Sequence, residues 1–370
     1  MTANNTTTTN GRDKARVLIV GSGGVGTMAA YTLEKGGLAQ VTSVLRSNYA
    51  VVKEKGFQIS SIDHGEVTGW RPSCIRDAIP NVVEESLPPF DYVIVSTKNI
   101  ADVPPSIAEM IAPAITPSRT AILLLQNGIN IERPLVAAFP SNPVLSGISV
   151  IGAKEFPPGT ITQNNYDISY IGPFSSPTTT TTPAKETETN KENAAAHRFV
   201  QLYSASGAVD SRYDADVAFN RWRKLLYNAS FNSVCAILRT DTARLRASQH
   251  AIDELVRPVM LEIAAVAKRA AGVSLSDDLI NKTITIDLYA SFFKPSMCQD
   301  VEKGNLLEFE NIVGEPLREA ARLGVETPTL KVLYSLLKSL QFGIKEMKGL
   351  VDVPRESSPA LKYGDKNERW

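Results

Sequence analysis

The chain has 370 residues, 43% of them hydrophobic and 21% charged, the composition of a globular protein of two to three domains rather than a disordered or fibrous chain. Thirty-nine Lys and Arg balance thirty-nine Asp and Glu, so no net field draws nucleic acid or an anionic membrane, and neither is expected as a partner. No apolar run reaches the ~18–20 residues of a membrane span and the amino terminus lacks a signal-peptide core. Three Cys and three His without ligand spacing argue against a structural metal and suit a reducing, cytoplasmic setting.

Residues 1–15 are polar and Thr/Asn-rich and read as a disordered N-terminus. RVLIVG (16–21) is a short apolar run ending in glycine, and GVGTMAAYTLEKGG follows with helical spacing and a glycine stop. VTSVLR (41–46), DYVIVST (91–97), TAILLLQNG (120–128) and NPVLSGISVIGA (142–153) are further strand candidates, with helical patterns between them, notably 103–112. Strands alternating with helices imply a parallel sheet covered on both faces. FQISSI (57–62) and GEVTGW (65–70) predict a hairpin inserted into that sheet, and ITQNNYDISYIGPF (161–174) one or two more strands. The tract 175–194 is of low complexity and too polar to pack. It is a domain linker or a surface insertion, and the insertion is favoured because AAAHRFVQLYSASG and AVDSRYD behind it still read as helix then strand. From about 215 helical patterns dominate, at 216–239, 249–271, 276–293, 304–323 and 328–347. The organisation expected is a first domain over 16–214, an all-helical second domain over 215–350 and a loose tail over 351–370.

Gly21-Ser22-Gly23-Gly24-Val25-Gly26 fits G-x-G-x-x-G between a strand and a helix. The first glycine permits a tight turn, the second lets the backbone approach a pyrophosphate, and the third lets helix and strand pack closely. The helix start then offers free N–H groups and partial positive charge to the phosphates. A tight turn without ligand is the alternative, but the motif lies in the first strand–helix unit, as a Rossmann-type domain requires. At the end of the second strand an NAD site wants an acid for the ribose 2′-hydroxyl. VTSVLRSNY has none and offers Arg46 instead, whose guanidinium can clamp a 2′-phosphate, so NADPH (NADP) is preferred. An Arg on a solvated loop is the alternative reading.

In DVAFNRWRKLLYNASFNSVCAILRT, Lys224, Asn228 and Asn232 recur at i, i+4 and i+8. At 3.6 residues per turn all three fall along one stripe. Asn is a mediocre helix former, so two of them stacked beside a lysine need a reason, either a polar outer face or a site. Ser296 precedes a helix in PSMCQDVEKGNLLEFENIVG, and Glu308 and Glu310 sit in a partly apolar stretch that, taken alone, reads as a solvated charged face.

Together and in this order, these segments resemble the ketopantoate reductase (2-dehydropantoate 2-reductase) family, within the 6-phosphogluconate-dehydrogenase-like superfamily, over nearly all of 16–345. The resemblance implies a Rossmann-type NADP-binding domain followed by an all-helical domain, an α/β class overall. It assigns Arg46 to the 2′-phosphate and Lys98 in VIVSTKNIAD to the cofactor. Asn127 in LLLQNG falls at the nicotinamide and substrate. RWRKLLYNASFN matches the family's catalytic helix, which makes Lys224 the general acid and Asn228 and Asn232 substrate ligands. PSMCQDVEKGNLLEFE matches the segment with a substrate-binding serine, Ser296, and an essential glutamate, Glu308. Two features depart from the family: Val313-Gly314 stands where Asn-Gly is frequent, and the Thr-rich tract is additional. The activity implied is NADPH-dependent reduction of 2-dehydropantoate to (R)-pantoate, in pantothenate biosynthesis, at a site between the domains. The alternatives are a reductase of another 2-oxo acid or an imine, and a non-catalytic NADP-binding regulator. The partner implied is a small 2-oxo acid, and a homodimer is left open.

Overall fold

In the computed structural model, the described residues are 14–174 and 183–354, without the side chains of 183–188. The expected disordered start and loose tail lie outside them, except for residues 14–15 and 351–354. The chain divides into two compact units: residues up to Lys224 with Ala270–Val273, and Leu225–Arg269 with the residues from Ser274 on.

Among the described residues the first unit has twelve strands: β1 (Ala15–Val20), β2 (Ala39–Val44), β3 (Phe57–Ser61), β4 (Gly65–Trp70), β5 (Cys74–Arg76), β6 (Tyr92–Val95), β7 (Ala121–Leu124), β8 (Val144–Ser149), β9 (Gly152–Glu155), β10 (Thr160–Asn165), β11 (Ile168–Pro173) and β12 (Asp210–Tyr213). Its helices are α1 (Gly24–Lys35), α2 (Tyr49–Lys55), α3 (Ile107–Ile111), α4 (Arg133–Ala138), α5 (Pro183–Ser204) and α6 (Val217–Tyr227). Eight strands form one sheet in the order β12-β11-β8-β7-β6-β1-β2-β5. Every pairing is parallel except β11 against β8. Successive side chains of a strand point to opposite faces, and both faces here are covered. Val17, Ile19, Ile94 and Leu123 pack under Ala29 and Leu33 of α1 and Phe199 and Leu202 of α5. Leu18, Val20, Val93, Val95, Ile122 and Leu124 pack on the other side with Ile111 of α3 and Leu135 of α4. This two-sided burial is why the strands read as unbroken apolar runs.

The hairpin β3–β4 forms, but it is not inserted into the main sheet. It joins β10 and β9 in a second sheet of order β4-β3-β10-β9, which has its own core of Met28, Leu45, Val52, Phe57, Ile59 and Ile161. The place beside β2 in the main sheet is taken by β5, three half-buried residues with no strand signal of their own. Of the tract 175–194, residues 175–182 lie outside the described residues. From Pro183 the chain is already helical. Pro suits a first helical turn, and the Ala, Lys and Glu that follow are strong helix formers although the tract as a whole is polar.

The second unit is helical among the described residues: a wide π-helical turn Asn228–Asn232 running into α7 (Ser233–Leu238), then α8 (Thr242–Ala247), α9 (Arg257–Ala271), α10 (Asp277–Ile284), α11 (Ser296–Glu302), α12 (Glu315–Leu323) and α13 (Pro328–Met347). Further π turns precede α9 and α12, at Ile252–Val256 and Glu310–Gly314. The helix expected over 276–293 stops at Ile284. Beyond it the Asp287 carboxylate accepts a hydrogen bond from the Tyr227 hydroxyl at 2.7 Å. Buried Leu330, Leu333, Leu337, Gln341 and Ile344 make one stripe of α13, the i, i+3, i+4 spacing of an amphipathic helix. No helix among the described residues is long and apolar enough to cross a membrane.

Candidate active site

The glycine motif turns between β1 and α1 under tight backbone constraint. Gly21 has φ +102°, and a Cβ there would lie 2.6 Å from the Thr97 nitrogen. A Cβ on Gly26 would meet the Gly21 carbonyl oxygen at 1.8 Å, which is the close helix–strand approach the third glycine permits. Around Gly23, by contrast, there is open space to 4 Å. The loop is braced from its other side. Ser22 Oγ donates to the Val44 carbonyl at 3.0 Å, Ser96 Oγ to the Gly21 carbonyl at 2.6 Å, and Thr27 Oγ1 to the Ser22 carbonyl at 3.1 Å. Buried Asn48 donates through Nδ2 to the Ser22 carbonyl and to Glu155 Oε1, both at 2.8 Å. A turn braced in this way and open at Gly23, at the start of a twelve-residue helix, fits a dinucleotide pyrophosphate. Arg46 follows β2, and Lys98 follows β6; both are exposed. β2, β1 and β6 are neighbours, so the glycines, Arg46 and Lys98 share the carboxyl edge of the sheet, where open α/β sheets bind their ligands.

Half-buried Asn127 lies in the loop between β7 and α4, where Gly128 takes φ +95°. Its neighbour Gln126 donates through Nε2 to the Thr97 carbonyl at 2.8 Å. The loop's carbonyls are held by Arg221 of α6, whose Nη1 donates to Gln126 at 3.1 Å and Gly128 at 2.9 Å. One turn further along α6, the Lys224 ammonium donates to the Ser149 carbonyl at the end of β8, at 2.5 Å. Ser149 and Val25 of the glycine motif line one small hollow, together with Asp167 and Tyr203. Burial pushes the Asp167 carboxyl up to about 6, against the lowering effect of its hydrogen bond from Tyr203, which is 2.6 Å long.

In the second unit the π turn buries Asn228 and Asn232. Asn232 Nδ2 donates to Asn228 Oδ1 at 3.3 Å and to Ser296 Oγ, at the start of α11, at 3.5 Å. Three residues assigned to substrate are therefore gathered in one cluster. Asn232 Oδ1 is buried there with no hydrogen-bond partner. A buried unsatisfied carbonyl oxygen calls for an explanation, and a ligand donor supplies one. The turn Glu310–Gly314 packs against this one, and Glu308, just ahead of it, is 5% exposed. Read alone as part of a solvated face, Glu308 is instead buried. Glu310 accepts from Tyr334 at 2.8 Å and pairs with Arg318 at 2.7 Å. Val313 is fully buried. The histidines take other work: His64 contacts Thr32 at 3.1 Å and Lys35 at 3.3 Å, while His197 stacks on Tyr213 at 3.7 Å. Burial, with the Lys35 charge adding to it, lowers the His64 pKa.

Sequence reasoning missed Asn48, Glu155, Glu132 and Arg221. The spacing of Arg221, three residues before Lys224 on the same helix, was the available signal for it.

Residues 17–176 match the family described as Ketopantoate reductase PanE/ApbA, and residues 216–341 match its C-terminal counterpart. The chain belongs to the ketopantoate reductase family. An uncharacterized protein of Saccharomyces cerevisiae is 36% identical over 91% of this chain and 96% of its own. A crystal structure of 2-dehydropantoate 2-reductase from Geobacter metallireducens superposes with a TM-score of 0.74 at 27% identity, covering 88% of this chain and 99% of that one. The ternary structure of D-mandelate dehydrogenase with NADH and anilino(oxo)acetate shares the fold at 21% identity and a TM-score of 0.72, over 89% of this chain and 99% of that one. Ketopantoate reductases are oxidoreductases, and this member has the family's architecture of an α/β sheet domain followed by a helical one.

Proposed function

We propose that the protein is a cytoplasmic, NADPH-dependent reductase that converts 2-dehydropantoate to (R)-pantoate, a step towards pantothenate and coenzyme A. The observation that carries the reading is the incompletely satisfied cluster of Asn228, Asn232 and Ser296, with the Asn232 Oδ1 atom buried and unpaired. A substrate hydroxyl can donate to that oxygen, while the amide and hydroxyl donors receive a carboxylate.

Gly21, Ser22, Gly23, Gly24, Val25 and Gly26 would hold the pyrophosphate with Lys98, Arg46 the 2′-phosphate, and Asn127 would border the nicotinamide. Bound NADPH supplies the hydride to the keto carbon. Lys224 already donates to a carbonyl oxygen, and a substrate carbonyl can take that place. Its ammonium then stabilises the charge developing on the substrate oxygen and delivers the proton to it. Glu308 holds a substrate hydroxyl or orients the lysine.

A second reading, reduction of a different 2-oxo acid, is favoured by the fold shared with a D-mandelate dehydrogenase solved with anilino(oxo)acetate and by the Val313-Gly314 departure. Purified protein assayed for NADPH and NADH oxidation with ketopantoate, pyruvate, 2-oxoisovalerate and phenylglyoxylate separates the two. The highest kcat/KM with ketopantoate and NADPH is the expected result. A higher value with another acid establishes the second reading, and nucleotide binding without any oxidation points to a non-catalytic regulator.

A further inference from the structure

We propose that Arg221 and Glu132 form a positioning clamp that fixes the Asn127 loop relative to the Lys224 ammonium. The proposal rests on the reductase reading above for its catalytic consequence, but not for its geometry.

The guanidinium of Arg221 is 8% exposed and the carboxylate of Glu132 is fully buried. All three nitrogens of the fork are engaged. Nη1 takes the carbonyls of Gln126 and Gly128, the two residues flanking Asn127. Nε donates to Ser146 Oγ at 2.8 Å, and Nη2 donates to the Gly147 carbonyl at 3.3 Å. Nη2 also faces Glu132 Oε1 at 3.2 Å, and Ser146 Oγ donates to that same carboxylate oxygen at 2.6 Å. One planar group thus ties together the β7–α4 loop, strand β8 and helix α6.

Stability alone is a poor reason for this arrangement. Burial disfavours the charged form of Arg221, with Glu132 opposing that effect, and buried ion pairs are often no more stabilising than apolar residues of the same volume. A rigid fork does offer fixed directions that a lysine or an apolar side chain lacks. Here those directions end on the carbonyls either side of Asn127. Lys224 stands three residues after Arg221, on the same face of the helix. Its acceptor, Ser149, ends the strand that supplies Ser146 and Gly147. The spacing from the Asn127 backbone to the lysine is therefore set through one helical turn and one strand. Neither Arg221 nor Glu132 needs to touch substrate, so both are positioning residues.

The test uses the full chain and the variants Arg221→Lys, Glu132→Gln and Ser146→Ala. Hydrogen–deuterium exchange of residues 125–130 in the protein without nucleotide is followed beside NADPH affinity, kcat and KM. Arg221→Lys is expected to raise exchange in that segment at least about tenfold with β1 and β6 unchanged. It should lower kcat by about a hundredfold, the cost typical of an ångström-scale misplacement, and keep NADPH affinity within about threefold. Glu132→Gln and Ser146→Ala follow in the same direction with smaller effects, and they decide the matter if Arg221→Lys does not fold. Unchanged kcat and unchanged loop exchange in folded variants overturn the proposal, as does a rise in exchange spread evenly over the sheet. Should the unaltered protein reduce no 2-oxo acid, the proposed function fails, while the exchange measurement still judges the clamp.

Discussion

Two buried polar assemblies in this molecule are built in opposite styles. Around Arg221, four hydrogen bonds of 2.8–3.3 Å and an ion pair engage every nitrogen of the guanidinium. Around Asn232, the two bonds made are 3.3 and 3.5 Å long, and one amide oxygen is left unpaired. Each assembly keeps a buried oxygen without a hydrogen-bond partner, Glu132 Oε2 in the first and Asn232 Oδ1 in the second, so the difference lies in the charge-assisted bonds that fix the first and the long bonds that leave the second open to a ligand. Under the proposed function, the first is scaffold beneath the site and the second belongs to the site.

This contrast is open to direct attack. Glu132→Ala should give the largest stability loss, roughly 3–5 kcal/mol in urea unfolding, because it strands a buried positive charge; a loss below about 1 kcal/mol would erase the distinction. Lys224→Ala should lower kcat by about a thousandfold, within the range of a general acid, while equilibrium titration finds NADPH affinity unchanged. Retained turnover would remove the lysine from that role. Asp167→Asn tests a third buried group. Its carboxyl sits at about 6 against an ordinary value of 3.8, so ionisation costs the native state stability above about pH 6 and costs nothing below about pH 4. The variant keeps an acceptor for Tyr203, and it should be more stable than the parent by at most roughly 3 kcal/mol at pH 7. That advantage should fade as the pH falls from 6 to 4, and a pH-independent difference would contradict the assignment. The smallest effect is expected for Asn232→Ala: KM for the 2-oxo acid up about thirtyfold, with unfolding free energy changed by less than about 1 kcal/mol. A large stability loss with unchanged KM would make the slack cluster structural after all.

Much of the first unit was legible in the chain. β1, β6, β7 and β8 announce themselves as apolar runs because both faces of their sheet are buried, and the glycine turn carries its constraint in three residues. The second sheet was not legible, since β3 pairs with β10 about a hundred residues on and no local pattern records such a pairing. The π turn at Asn228–Asn232 was read as ordinary helix. Its residues have unremarkable helix propensities, and π turns of this kind favour functional sites. Arg221 and Arg223 look alike in RWRKLL, yet one is enclosed by carbonyls and the other lies over the Tyr170 ring at 5.6 Å.

Local chemistry in the chain was enough for the periodicity of strands and helices and for the glycine turn, and the resemblance of the segments around Lys224, Asn228 and Ser296 was enough for the family. Which charges would be buried, and which polar atoms would stay unsatisfied, emerged only on folding. Arg221 meets its carbonyl acceptors 74–95 residues away along the chain, and the energy of a charge depends on every dipole and carboxylate brought around it, whatever their distance in sequence.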